Sequence, residues 1–258
     1  MIVLEWNINK RSAKNILAEP FVSQRVLSQN ADVICLVEYT TDIVIKEALR
    51  PLYWVFESVL SSGNQILLAV KKSFVKEKPI VIRDYDEPNC YNFLHIKMIG
   101  LDGNPFHVIG LRMLTGSGEN SIDAQKQTPP LNRYLKLLKE KFICVGDYNI
   151  MDFRMAHWFS DFHIQEMRRG KREIESASYF FPKRENERRI GGFGKLDHIL
   201  TDQRLKVTAR YNWDFVHDHP IYPSIDDIND GCYWSIDKGF PDHAMLIAEV
   251  ENIKDDKR

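Results

Sequence analysis

The stretch FICVGDYNI, residues 142–150, carries the reading of the fold: four apolar residues and a glycine run straight into Asp147, Tyr148 and Asn149. The apolar part reads as a buried strand. Gly, Asp and Asn are turn formers and would stop such a strand unaided. If the strand continues to Asn149, alternation aims Asp147 and Asn149 at one face and leaves Tyr148 on the other. The surrounding chain has to decide between a plain turn and a paired polar site.

Around this stretch the periodicity predicts helices at LNRYLKLLKEK (131–141) and MDFRMAHWFS (151–160). Towards the N-terminus the chain opens with a strand at IVLEWNI, a helix at EPFVSQRVLSQN, a buried strand at ADVICLVEY and a short helix from Thr41 to about Arg50. β-branched and aromatic runs follow at YWVFESVL, NQILLAV, KPIVIR, YNFLHIKMI and PFHVIGLRML. Beyond residue 170 the strand candidates are ASYFF, KLDHILT, LKVTARYNW and AMLIAEV. Many strands and few helices predict layered sheets flanked by helices. No repeat or Pro/Gly/Ser-rich linker divides the chain, so residues 1–252 read as one domain and 253–258 as a polar tail. Two polar loops, TGSGENSIDAQKQ and IYPSIDDINDG, stand beside strands, where binding residues collect.

With 258 residues, 44% hydrophobic and 28% charged, the chain has the composition of a globular protein with a large core. A net charge of -1 excludes a globally basic coat, so a polyanion must be met by a local patch. The N-terminus MIVLEWNINK has no signal-peptide pattern, and no run reaches a membrane span's roughly 18 apolar residues. Cys35, Cys90, Cys144 and Cys232 lack metal-ligand spacing and read as thiols of a reducing compartment. The expectation is a cytoplasmic protein with no membrane partner.

Polar residues punctuate the apolar strands: Asn7 and Asn9 in WNIN, Glu38 closing ADVICLVE, Asp147 and Asn149, Asp197 in GKLDHIL, and Asp242 with His243 opening PDHAML. Each alone is commonly a turn or a cap. Together they are the side chains that phosphoester hydrolysis requires, because a phosphodiester is anionic and repels nucleophiles. Hard oxygen donors such as Glu38 and Asn7 suit Mg²⁺, which binds through one or two carboxylates and keeps several waters. A carboxylate and a histidine then handle protons and contact the phosphate.

In the order WNIN, ADVICLVE, GDYN, KLDHIL, PDHA the chain resembles the endonuclease/exonuclease/phosphatase superfamily, which includes exonuclease III-like nucleases, DNase I, sphingomyelinases and tyrosyl-DNA phosphodiesterases. The resemblance implies an α+β fold, a four-layered α/β sandwich of two mainly antiparallel β-sheets packed face to face with helices outside. It implies Mg²⁺, with Mn²⁺ as a substitute, at Glu38, Asn7, Asn9 and Asp242. Asp147 would orient or deprotonate the attacking water and Asn149 would bind phosphate. Asp197 would hold His243, which would contact the scissile phosphate.

Two positions depart from the family. Val37 stands where relatives carry Gln before the metal-binding Glu. Arg112 stands at the end of the middle strand, where many relatives have His and the apurinic nucleases Tyr. A guanidinium is no acid or base near neutral pH, but its planar fork clamps phosphate oxygens. Alternation places His107 on the face opposite Arg112.

The stretch from Met167 to Arg189 holds eight basic and four acidic residues, with Tyr179, Phe180 and Phe181 interleaved. Basic and aromatic side chains in this pattern suit a nucleic acid backbone and its bases, and a mixed-charge solvated surface is the alternative. Arg168, Arg169, Arg172, Tyr179 and Lys195 are the substrate-binding candidates. The expected partner is nucleic acid, DNA first. Two alternatives stand beside it: hydrolysis of a small or lipid phosphate ester, and an inactive nucleic-acid-binding module on the same fold.

Overall fold

A computed structural model describes residues 1–9, 18–41, 43–58, 65–82, 92–113, 122–170, 174–181, 192–218 and 240–253. Two sheets dominate it. The first runs in the order β10 (Glu166–Met167), β14 (Leu205–Asn212), β15 (Met245–Asn252), β1 (Ile2–Asn7), β2 (Val33–Tyr39), β4 (Gln65–Lys71), β3 (Tyr53–Glu57). The second runs β5 (Ile80–Ile82), β6 (Phe93–Ile99), β7 (Pro105–Arg112), β8 (Lys141–Asp147), β13 (Asp197–Thr201), β9 (His163–Ile164). A separate ribbon pairs β11 (Tyr179–Phe181) with β12 (Gly192–Gly194).

Most neighbours are antiparallel, as the family resemblance implies. Each large sheet nevertheless has a parallel pair at its centre, β1 with β2 and β7 with β8. Parallel strands end on the same side, so the residues after each pair's apolar run are brought together at one end of the sandwich. In the second sheet the register sets Arg112 opposite Asp147, and Asp147 opposite Asp197. Three polar residues thus form a row across β7, β8 and β13.

The sheets pack face to face, as a methyl group on Gly110 of β7 would meet Ile66, Cys35 and Leu68 of the first sheet. Helix α1 (Ala18–Ser28) packs Val22 and Val26 into this larger core, and α2 (Ile43–Leu49) buries Ile45 and Leu49. On the outer face of the second sheet, α3 (Ile122–Leu137) contributes Leu131 and Leu135, and α4 (Asp152–Trp158) contributes Met155. Cys35 and Cys144 are buried thiols not joined in a disulfide.

Three expectations need correction. Helix α3 begins nine residues earlier than the 131–141 reading and runs through Pro129 and Pro130. Two prolines remove backbone donors, yet Leu131 and Leu135 anchor the following turns to the sheet, and packing outweighs that loss. Strand β8 ends at Asp147, so alternation does not place Asn149. Asn149 instead has a left-handed backbone, φ 52°, and its N–H donates to Asp147 Oδ1 at 2.9 Å. The WNIN run also ends as a strand at Asn7, with Asn9 at φ 49°.

Candidate active site

The two central parallel pairs meet at one end of the sandwich, and their last residues face each other between the sheets. Asn7 Nδ2 donates to Asp147 Oδ2 at 3.1 Å across the gap. Arg112 donates through Nε at 2.8 Å and Nη2 at 2.7 Å to the same oxygen, Oε1 of Glu38. Its Nε also lies 3.8 Å from Asp147 Oδ2. His243 Nδ1 donates to Asp197 Oδ2 at 2.8 Å. All six of these side chains are buried.

Glu38 reaches this cluster through backbone irregularity. Its φ is +52°, and the pairing of β2 with β4 shifts register between Leu36 and Tyr39. A bulge re-aims a side chain, which is how Glu38 comes to face the second sheet although the inward-facing Cys35 is three residues away. A non-glycine residue in this conformation costs about 1–3 kcal/mol. Asn9, Asn92 and Asn149 also have positive φ and border the same cluster; Asn92 accepts the Arg112 N–H at 2.9 Å. Gly146, just before Asp147, admits no side chain, because a methyl group there would collide with the Leu111 carbonyl oxygen.

The electrostatics separate the roles. Burial raises the Asp147 pKa to about 7, helped by Asp197 and opposed by His243 and Arg112. A carboxyl poised near neutrality suits proton transfer to or from water. For His243, burial works downward, but the charge and hydrogen bond of Asp197, with Asp242 and Asp147, outweigh it and raise the pKa to about 10. His243 is therefore an imidazolium at neutral pH, a charged donor held in place by Asp197.

Glu5 belongs to the cluster although the sequence reading passed over it. It is fully buried in β1, on the same strand face as Asn7. Burial first, then Asp197 and Asp147, push its pKa well above the usual carboxylate range. Neither its oxygens nor Asp197 Oδ1 accept a hydrogen bond from a described donor. Held neutral in this way, the Glu5 carboxyl has Asp197 as its hydrogen-bonding neighbour. The available signal was a glutamate in the middle of an otherwise apolar strand, IVLEWN.

The remaining candidates scatter. Tyr179 bridges to His243 by backbone pairing, with ring centroids 4.7 Å apart. Lys195 lies two residues before Asp197, and its carbonyl is 3.0 Å from His198 Nε2. Asp242 is partly exposed beside His243, and Asn9 Nδ2 donates to the Phe240 carbonyl at 3.2 Å. Asn149 Nδ2 donates to the Met113 carbonyl at 2.8 Å, which engages one of its two amide hydrogens. Arg168 departs from expectation: it pairs with Glu249 at 2.8 Å, and Glu249 sits opposite Ile2, at the end of β1 away from Asn7. Arg169 is exposed; Arg172 and the basic residues from Lys183 to Arg189 lie outside the described residues. His107 lies on the other face of β7, 2.7 Å from His95, and His198 is held by the carbonyls of Ile150 and Lys195.

No protein-family model and no curated protein sequence matches the chain. Solved structures do. A D. rerio TDP2 complexed with single-strand DNA product superposes with a TM-score of 0.66 at 14% identity, over 98% of this chain and 99% of that one. An endonuclease/exonuclease/phosphatase family protein from Bacteroides thetaiotaomicron gives 0.65 at 14%, over 98% of both chains. A mannosyl-6-phosphatase from the same organism gives 0.63 at 14%, over 97% and 99%. The chain has the endonuclease/exonuclease/phosphatase fold.

On the endonuclease/exonuclease/phosphatase fold a divalent cation is the implied cofactor, and the donor set is compatible with one. Glu38 offers a carboxylate and Asn7 an amide oxygen whose one described partner is the Asn9 N–H at 3.0 Å, which leaves a lone pair. The carboxylates of Glu38, Asp147 and Asp197 outnumber the cationic Arg112 and His243, and burial first, then Asp197, raises the Asp147 pKa. Among the described residues no three His, Cys, Asp or Glu side chains form a metal cage.

Proposed function

We propose that this chain is a metal-dependent phosphoester hydrolase, acting as a phosphodiesterase on nucleic acid, DNA first. The observation that carries the reading is the row Arg112, Asp147, Asp197, set by strand register in the second sheet and in contact with Asn7 and Glu38 of the first. Arg112 and the His243 imidazolium place two positive donors where negative charge accumulates on a phosphoryl group. Asp147, with its pKa near 7, orients the attacking water and takes its proton. Asp197 keeps His243 charged and oriented. Mg²⁺ or Mn²⁺ at Glu38 and Asn7, with Asn9 and Asp242 alongside, would polarise the phosphoryl oxygens.

DNA as the substrate is supported by Tyr179 beside His243, an aromatic surface at the mouth of the site. The placement of Arg168 removes part of the basic support. The structural likeness to a mannosyl-6-phosphatase favours a second reading, hydrolysis of a small phosphate monoester. Purified protein is assayed with Mg²⁺ on a labelled single-stranded oligonucleotide, bis-p-nitrophenyl phosphate and a sugar phosphate, against an Asp147→Ala control. Cleavage of the first two, lost in the control, supports the phosphodiesterase. Cleavage of the sugar phosphate alone selects the phosphatase, and no cleavage of any substrate rejects both.

A further inference from the structure

The contact between Arg112 and Glu38 does more than fill a histidine's place. Two donors of one guanidinium converge on a single carboxylate oxygen, at 2.8 and 2.7 Å, with both side chains 4% exposed. Oε1 of Glu38 is thereby committed to an internal cation. A divalent ion taking Glu38 as its anionic ligand meets a fixed positive charge on the same carboxylate, in a buried space where like charges are poorly screened. The Arg112 backbone is pinned, since its N–H donates to Asn92 and β7 pairs with β8 up to this residue. Only the side chain can turn. Asp147 Oδ2 lies 3.8 Å from the same Nε that donates to Glu38.

We propose that Arg112 is a latch on the metal site: it neutralises Glu38 in the free protein and transfers its fork to a phosphate group when cation and phosphate enter together. A phosphate gives Arg112 a bidentate anionic partner in exchange for Glu38, and the released carboxylate becomes available to the cation. The two ligands therefore bind cooperatively, each tightening the other by the same factor. Arg112 acts here as a positioning residue for the cation site. This rests on the metal-dependent reading above and adds a regulation to the same site.

The test is Mn²⁺ binding by the full chain, read by electron paramagnetic resonance of free Mn²⁺, with and without dimethyl phosphate as a stable phosphodiester probe. In the wild-type protein dimethyl phosphate should tighten Mn²⁺ at least about fivefold. Arg112→Gln should bind Mn²⁺ alone more tightly than wild type does, with the coupling abolished. Because that variant removes the cation paired with a buried Glu38, Arg112→Lys is measured beside it; a single-point cation should retain the fold and show weaker coupling. Coupling in Arg112→Lys equal to wild type, or Mn²⁺ binding in Arg112→Gln no tighter than wild type, overturns the latch. Glu38→Gln separates the two levels. If it weakens Mn²⁺ binding while the Arg112 variants behave as wild type, the latch alone fails. If it leaves Mn²⁺ binding unchanged, the metal assignment fails and the latch with it.

Discussion

His243 and His95 are both buried, 6% and 2% exposed, yet they end in opposite protonation states. His243 lies between the sheets against Asp197. His95 lies on the outer face of the second sheet, where Tyr134 of α3 is 2.5 Å from its Nδ1 and His107 is 2.7 Å from its Nε2. Burial pushes both imidazoles towards neutrality. At His95 it is joined by His107 and Lys97, and the pKa falls to about 3. At His243 three carboxylates overcome it, and the pKa rises to about 10. Burial alone therefore says nothing about the charge of a histidine; the partner's charge decides it. At His95 the hydrogen bonds run one way, from Tyr134 Oη through His95 and His107 towards Glu140 Oε2 at 3.4 Å, because a carboxylate can only accept.

Removing the carboxylate should erase the difference most completely. Asp197→Asn should lower turnover by on the order of a thousandfold or more, as loss of an imidazole's orienting carboxylate does elsewhere. The His243 pKa should fall from about 10, because burial is then opposed only by Asp242 and Asp147. A histidine nuclear magnetic resonance titration measures that fall, and an unshifted His243 would detach Asp197 from it.

Glu5 sharpens the same side of the comparison. Glu5→Leu should destabilise the fold by about 1–3 kcal/mol, since Asp197 Oδ1 then stays buried without a donor. Glu5→Gln retains a donor and should lose less. Urea denaturation of both variants tests the order, and equal losses would mean that Glu5 serves only to fill space.

Stability against pH should show the two histidines from opposite sides. A raised folded pKa gives His243 a contribution fully present below the ordinary histidine value of about 6.5 and lost as pH rises through about 10. A lowered folded pKa gives His95 the reverse. Its contribution is present above about 6.5 and is lost as pH falls towards about 3, because the unfolded state takes up the proton first. Denaturation midpoints from pH 4 to 10 should bend down at both ends, and Asp197→Asn should flatten only the alkaline side.

The smallest expected effect is at the outer pair. His95→Gln can still accept from Tyr134 and donate to His107, so it should cost about 1 kcal/mol, leave turnover unchanged and flatten the acid side. A large loss of turnover would tie the two faces of the sheet together.

Much of this site is legible in the chain because its residues follow apolar strands. Asn7, Arg112 and Asp147 each end one, Asp197 begins one, and strand periodicity already puts Arg112 and His107 on opposite faces. The order of these polar punctuations carries the resemblance even at 14% identity to solved structures. Glu5 was missed because a buried neutral carboxylic acid looks in sequence like any charged residue in a strand. Its state depends on burial first, then on Asp197 and Asp147, more than 140 residues away.

What the sequence by itself determined is which side chains stand at strand ends and which faces they share, because both follow from local alternation of apolar and polar residues. Tertiary structure alone decided the rest. The bulge at Glu38, the Asn149 turn, the fork of Arg112 on one oxygen and the removal of Arg168 to the far end of β1 all depend on which strand lies alongside and in what register. The charges of His243, Asp147 and Glu5 depend likewise on neighbours brought together across two sheets. Local pattern fixes where a side chain can point, and only the packed fold fixes what it meets there.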